Sequence, residues 1–348
     1  MAARDIHGPQ PPWGDKFQVI GQGLRKVDGL AKATGDAIYT DDIVLPGMLH
    51  AKTLRSPHAH AKILAIRTDK ALALEGVHAV LTGADMPQCY GVIPWTPDEN
   101  ALAVDKVRFI GDEVAAVAAV DEDTANAALD LIEVDYEPLH AYLDPNEALV
   151  RGEPQIHEGR KDGNISKHVE LEFGDVAAGF EKADVIVEGD YSFHGTTHGA
   201  IEPHCAVAQF SPNGNLTLWS STQITHYVQR EISKVLGLGP QHVRIIQPCL
   251  GGAFGGKSDP FSLEFCVSKL AMITGRPVKM LWTREEVFYA HRGRHPAQMH
   301  YSTGATSDGR LTAVDAKILL DGGAYSSFGL VTTYSTGQLL TGPYPFPA

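Results

Sequence analysis

The sequence predicts a mixed α/β (α+β) fold, and three local patterns carry that expectation. VAAVAAV, from Val114 to Val120, is an uninterrupted apolar run of strand length. After it, ANAALDLI reads as a helix capped by Thr124, and EVDYEPL returns as a strand. Further on, HVRIIQP reads as a buried strand that runs through a glycine-rich loop into another helix.

Taken in order, residues 1–22, with GPQPPWG, read as an N-terminal extension draped over the surface. Residues 23–150 hold the first strand–helix–strand unit and form the first expected domain. The polar stretch RGEPQIHEGRKDGN has no periodicity and opens an expected linker over 151–170. Residues 171–348 form a second expected domain, with VIVEGDYSF and LTLWSS as strands and HYVQREISKVLGL as a helix. The strand-like AKILLDGGAYSSFG leads to PYPFPA with no closing helix expected, so this domain reads as the first, incomplete part of a larger one.

Composition narrows the function. Acidic residues number 42 against 29 basic ones, a net charge of −13 over 348 residues. Such a field repels nucleic-acid backbones and anionic membranes, so neither is expected as a partner. Cys89, Cys205, Cys249 and Cys266 stand singly with no C-x-x-C, which speaks against a zinc ribbon or a cysteine-held cluster on this chain. No apolar run reaches membrane length and no export signal or twin arginine is seen, so a cytoplasmic protein with reduced thiols is expected.

The glycine-rich loop is the most informative segment. Gly251 through Ser258 satisfies G-x-x-x-x-G-K-[ST], the phosphate-cradling pattern, and ILLD ending at Asp321 imitates a magnesium-holding strand. In the helix that follows, Ser258 or Asp259 is the expected cap, with Pro260 in the first turn. Leu263, Val267, Leu270 and Thr274 share a face, and Gly275 is the expected stop. Read alone, the loop fits a packing turn, the P-loop of a nucleotide hydrolase, or another anion-binding turn.

The wider chain resembles one family. GGAFGGK, with Ser221-Thr222-Gln223 some thirty residues earlier, resembles the molybdopterin-binding subunit of the xanthine dehydrogenase and aldehyde oxidase family, the molybdenum hydroxylases. RKVDGLAKATGDAIYTDDI, LRSPHAHAKI, VRFIGDEVAAVAA, LIEVDYEPL, EFGDV, IEPH, TREE, RGRHP, GATSDGRL and DGGAYSSFG are similar to family segments in the family's order. The wording lies nearest the subgroup that contains nicotinate dehydrogenase and 4-hydroxybenzoyl-CoA reductase.

That resemblance implies an α/β hammerhead domain followed by the first part of a molybdopterin-binding domain. Gly251, Gly252, Ala253, Phe254 and Gly255 would line the cofactor, with the backbone N–H of Phe254 toward a molybdenum oxygen and the Gln223 amide beside it. The metal itself would be held by the pterin dithiolene, with no direct protein ligand. The implied cofactor is a molybdopterin, in its cytosine dinucleotide form. [2Fe-2S] clusters and FAD would lie on an iron–sulfur subunit and a FAD subunit, with a second molybdopterin subunit as a further partner.

The implied reaction is oxidative hydroxylation of an aromatic or N-heterocyclic, aldehyde or aryl-CoA substrate, or reductive dehydroxylation of a hydroxyaryl-CoA. Purine-hydroxylating members carry a glutamate directly after GGK, where this chain has Ser258 and then Asp259. The family's catalytic glutamate lies beyond the segments matched here, so no catalytic residue is expected on this chain. It is expected to be inactive without a partner or C-terminal half. The alternatives are a P-loop nucleotide hydrolase and a non-catalytic assembly subunit.

Other polar clusters have plain readings. His194, His198 and Glu202 recur every four residues, but Gly195, Gly199 and Pro203 disfavour the helix a metal site would need. That segment is expected to pack below the site, with Glu202 anchoring a loop. His58 and His60 are read as structural residues on one face of a strand. Arg284, Glu285 and Glu286 read as an ion-paired turn, and Arg292, Arg294 and His295 as an arginine ladder or a patch facing an anion.

Overall fold

A computed structural model of the chain describes residues 20, 23–290, 292–340, 342, 344, 345 and 347. The expected N-terminal extension, apart from Ile20, lies outside them. The chain separates into two units, Met1–Ile38 and Tyr39–Ala348. The described residues of the first include a short helix, Gly29–Thr34, stopped by Gly35 in the left-handed conformation.

The second unit carries the sheets. Before residue 151 run β1 (Leu49–Arg55), β2 (Ala61–Arg67), β3 (Val77–Thr82), β4 (Lys106–Val107), β5 (Glu113–Ala119) and β6 (Glu133–Pro138). After it run β7 (Val185–Phe193), β8 (Cys205–Phe210), β9 (Leu216–Ser220), β10 (Val243–Ile246), β11 (Val278–Leu281), β12 (Ala297–Ala305) and β13 (Leu311–Leu320). The main sheet has seven strands in the order β10-β9-β8-β11-β1-β5-β3, so it draws strands from both sides of the 151–170 stretch. Two three-stranded sheets, β13-β12-β7 and β4-β2-β6, complete the unit.

Strand β5 shows why the apolar run has no polar alternation. All seven of its residues are buried. Ala116 and Ala118 join the cluster that contains Leu263, Phe265 and Leu270, while Ala115 and Val117 join the one that contains Ala128. A strand covered on both faces must be apolar on both. The helix Ser262–Thr274 is buried nearly all round and packs on β8, β11 and β3. Full burial of one of its large side chains, Phe265, contributes about 1.5–3 kcal/mol.

Strands β9 and β10 are neighbours and parallel, with Trp219 opposite Ile246. A parallel pair needs a crossover, and the helix Thr225–Leu236 supplies it. The loops leaving their carboxyl ends therefore emerge side by side, which is where open α/β sheets hold ligands. Those two loops are Ser221–Gln223 and the glycine-rich segment.

Several local expectations are corrected. Asp121 caps the helix Glu122–Leu129 by accepting from Thr124 N, in place of Thr124 itself. The helix after the glycine loop starts at Ser262 with Phe261 at the cap position, since Ser258 and Asp259 are committed to other partners; Gly275 stops it as expected. His58 and His60 precede β2, which begins at Ala61, and the His60 ring is fixed to His140 O at 2.7 Å. A closing helix, Gly329–Gln338, follows the last strand.

Candidate cofactor site

The glycine loop is held by side chains from outside it. Glu202 Oε2 accepts from Gly251 N at 2.9 Å and from Lys257 Nζ at 2.7 Å, and Glu202 N donates to Gly251 O at 3.2 Å. The approach is so close that a Cβ on Gly251 would stand 2.6 Å from Glu202 Cβ, so only glycine fits there. Lys257 is buried; burial pulls its ammonium down from the ordinary lysine range, and pairing with Glu202 opposes that shift.

Gln223 holds the far side. Its Oε1 accepts from Gly255 N and from Ser258 Oγ, both at 3.1 Å. Gln223 N in turn donates to Lys257 O at 2.9 Å, which ties the two loops backbone to backbone. The Gly255 donor fixes the amide orientation, so Gln223 Nε2 points away from the loop with no acceptor among the described residues. The His198 ring lies against Gly255 and Gly256, as expected for a segment packing beneath the loop.

With both ends tied, the middle of the loop is shaped to present donors. The N–H groups of Gly252, Ala253 and Phe254 meet no acceptor among the described residues. Gly252 has φ 98°, and Phe254 takes φ 55°, a left-handed conformation that costs a non-glycine residue about 1–2 kcal/mol. Gly255 also has a positive φ, 93°, so three of the four residues Gly252–Gly255 take left-handed backbone and leave regular hydrogen-bonded geometry. Unpaired backbone N–H groups in such turns can bind anions. An anionic oxygen-rich group fits this donor set, and the Gln223 Nε2–H adds to it. The site residues expected from the sequence are thus brought together.

Neighbouring groups are already committed. Arg292 pairs with Glu99 and, at 3.0 Å, with Asp259, so the structural reading of the HRGRHP arginine holds; His291 lies outside the described residues. Burial pushes Glu99 up to about 7, against the opposing pull of Arg292. Arg284 donates to Ala200 O at 2.8 Å and Ile201 O at 2.5 Å, and Glu286 pairs with Arg55 at 2.8 Å. The spacing of residues along the chain held no sign of the Glu99 partner, 193 residues away from Arg292. No group of His, Cys, Asp and Glu among the described residues is set to hold a metal, so His194, His198 and Glu202 do not form one. A cavity of 830 Å³ opens beside the loop at Gly255 and His198, whereas a larger cleft of 1240 Å³ touches none of the loop residues.

The P-loop reading fails on geometry. Its lysine must reach phosphates, yet Lys257 is buried against Glu202 behind the loop. The following helix starts only at Ser262, and Asp321 follows a strand of a different sheet from the loop. What remains is a pair of loops tied to each other at the ends of neighbouring parallel strands on a mixed α/β scaffold. Comparison with known proteins agrees. The profile of the molybdopterin cofactor-binding domain matches residues 156–348, and that of the aldehyde oxidase and xanthine dehydrogenase a/b hammerhead domain matches residues 34–140.

The nicotinate dehydrogenase large molybdopterin subunit of Eubacterium barkeri is 42% identical over 337 residues, covering 96% of this chain and 78% of the relative. The carbon monoxide dehydrogenase large chain of Afipia carboxidovorans is 33% identical over 356 residues, covering 96% of this chain and 43% of the relative. The aldehyde oxidoreductase of Desulfovibrio gigas has a TM-score of 0.87 at 32% identity, covering 92% of this chain and 36% of that one. The chain belongs to the xanthine dehydrogenase and aldehyde oxidase family, among its molybdenum-dependent oxidoreductase, molybdopterin-binding subunits. It spans less than half the length of the second and third of these relatives.

Proposed function

We propose that this chain holds the molybdopterin of a molybdenum hydroxylase in the angle between the Gly251–Gly255 loop and Gln223. The observation that carries this is the convergence of the two loops at the carboxyl ends of β9 and β10, with the Gly252, Ala253 and Phe254 N–H groups left without an acceptor among the described residues. Gly251 and Gly255 give the loop its anchored ends, and Gln223 Nε2–H is the side-chain donor. Fixed backbone dipoles stabilise an anionic group with little reorganisation on binding. When bound, the cofactor supplies two-electron redox chemistry at carbon, while the protein supplies orientation and electrostatics.

The chain's own residues bind and orient; none performs the proton transfer. Glu202 faces the loop's ends and is held by Gly251 and Lys257, so it is not a free base. We infer, as the family resemblance implies, that the catalytic carboxylate is supplied by another segment or a partner and that the chain alone is inactive. The assembly we infer includes iron–sulfur and FAD subunits, a second molybdopterin subunit and the cytosine dinucleotide form of the cofactor, in the cytoplasm, where the four free cysteines stay reduced. Residues 23–150 and 171–348 act as its hammerhead and cofactor domains. The substrate class we favour is an N-heterocyclic aromatic, supported by the 42% identity to a nicotinate dehydrogenase subunit and by Ser258 after GGK.

Elemental mass spectrometry and a pterin assay on the tagged chain, isolated with its partners from its native host, test this reading. Stoichiometric molybdenum and pterin, with iron on the partners, is the expected result. Background molybdenum in an intact complex would overturn it and leave an assembly role.

A further inference from the structure

One carboxylate oxygen receives both ends of the glycine loop. Gly251 N and Lys257 Nζ, six residues apart, converge on Glu202 Oε2 at 2.9 Å and 2.7 Å. Glu202 N closes a third bond onto Gly251 O, and the carbonyls just before it, Ala200 O and Ile201 O, are pinned by the Arg284 guanidinium. Glu202 Oε1 is buried with no hydrogen-bond partner among the described residues, so the carboxylate's described hydrogen bonds all go to the loop through Oε2. The lysine side chain is 2% exposed and the glutamate 10%, so water does not compete for the pair.

We propose that Glu202 is a positioning residue: with Lys257 it forms a clasp that closes the loop at its base and so sets the direction of the Gly252–Phe254 N–H groups. A seven-residue loop with several glycines has many conformations, and tying its two ends at one atom removes most of them. The lysine that imitates a phosphate-binding residue thus works from behind the loop as a tether. Its importance for cofactor binding rests on the function proposed above; the clasp itself does not.

Removing Glu202 alone strands a buried ammonium, which burial already disfavours. The test therefore pairs Glu202→Gln with the double variant Glu202→Leu/Lys257→Met, which replaces the ion pair with apolar side chains of similar volume. Amide hydrogen exchange is measured on the full chain, comparing peptides over residues 250–257 with peptides from the helix Ser262–Thr274.

In the double variant the loop amides are expected to exchange about tenfold faster or more, with helix exchange unchanged. Molybdenum occupancy is expected to fall several-fold in the same variant. A purely structural ion pair would not separate loop from helix in this way. Unchanged loop exchange in the double variant, with the helix intact, would overturn the proposal. If the helix accelerates together with the loop in both variants, the pair supports the whole fold and the positioning role is likewise overturned. Wild-type protein without molybdenum would defeat the functional reading only, because loop exchange still judges the clasp.

Discussion

The glycine loop Gly251–Lys257 and the helix Ser262–Thr274 are neighbours in sequence and opposites in how they are held. The helix is fixed by burial: Leu263, Phe265, Val267 and Leu270 are all within the core. The loop is fixed by a few polar side chains from distant segments, Glu202 and Gln223, while Phe254 stands 73% exposed. Apolar burial is non-directional and gives stability, whereas hydrogen bonds to backbone groups give direction. A site that must aim N–H groups needs the second kind of hold, resting on the first.

This contrast is open to test at each level. Phe265→Ala is expected to cost about 3–5 kcal/mol of stability by chemical denaturation, with loop exchange in the surviving native state unaltered. Gly251→Ala introduces a Cβ 2.6 Å from Glu202 Cβ. It is expected to cost about 1–3 kcal/mol through overpacking and to abolish molybdenum retention, read by elemental analysis of the same samples. A Gly251→Ala protein that retains full molybdenum would break the link between loop shape and binding.

Glu264 sharpens the comparison through pH. Burial pushes its carboxyl from the ordinary 4.5 up to about 7, despite hydrogen bonds from Phe261 N and Ser220 Oγ. Between those values the folded state holds the proton that the unfolded state has released, so stability falls as pH rises from 4.5 to about 7. Glu264→Gln removes that contribution, and its melting temperature is expected to decline less over this window than that of the wild type. Parallel melting curves for the two proteins would contradict the assignment. The smallest effect on stability is expected for Gln223→Ala, an exposed residue, at within about 0.5–1 kcal/mol, together with a measurable loss of cofactor.

What the sequence revealed follows the same division. Apolar periodicity exposed β5, β9, β10 and the helices Thr225–Leu236 and Ser262–Thr274, because burial leaves a local signature. Gly275 marked a helix end because a left-handed stop needs glycine. The closing helix Gly329–Gln338 was illegible: GLVTTYSTGQ contains two glycines and three threonines, poor helix formers that tertiary context overrides. The helix start after the loop was misplaced because Ser258 and Asp259, good caps by type, bond instead to Gln223 and Arg292. Motif resemblance singled out two loops that the fold brings together, but the lysine of GGK pointed toward a phosphate role, whereas it pairs with Glu202, 55 positions earlier. Long-range polar pairing leaves no period to read.

The central claim is that the Gly252–Phe254 N–H groups are the donors for an anionic cofactor. Hydrogen exchange over residues 250–257 should be compared between cofactor-loaded protein and the same protein stripped of it. Slower exchange at Gly252, Ala253 and Phe254 in the loaded form, with the helix Ser262–Thr274 unchanged, is the predicted result. Equal exchange at those three amides in a sample shown to carry stoichiometric molybdenum would contradict the account.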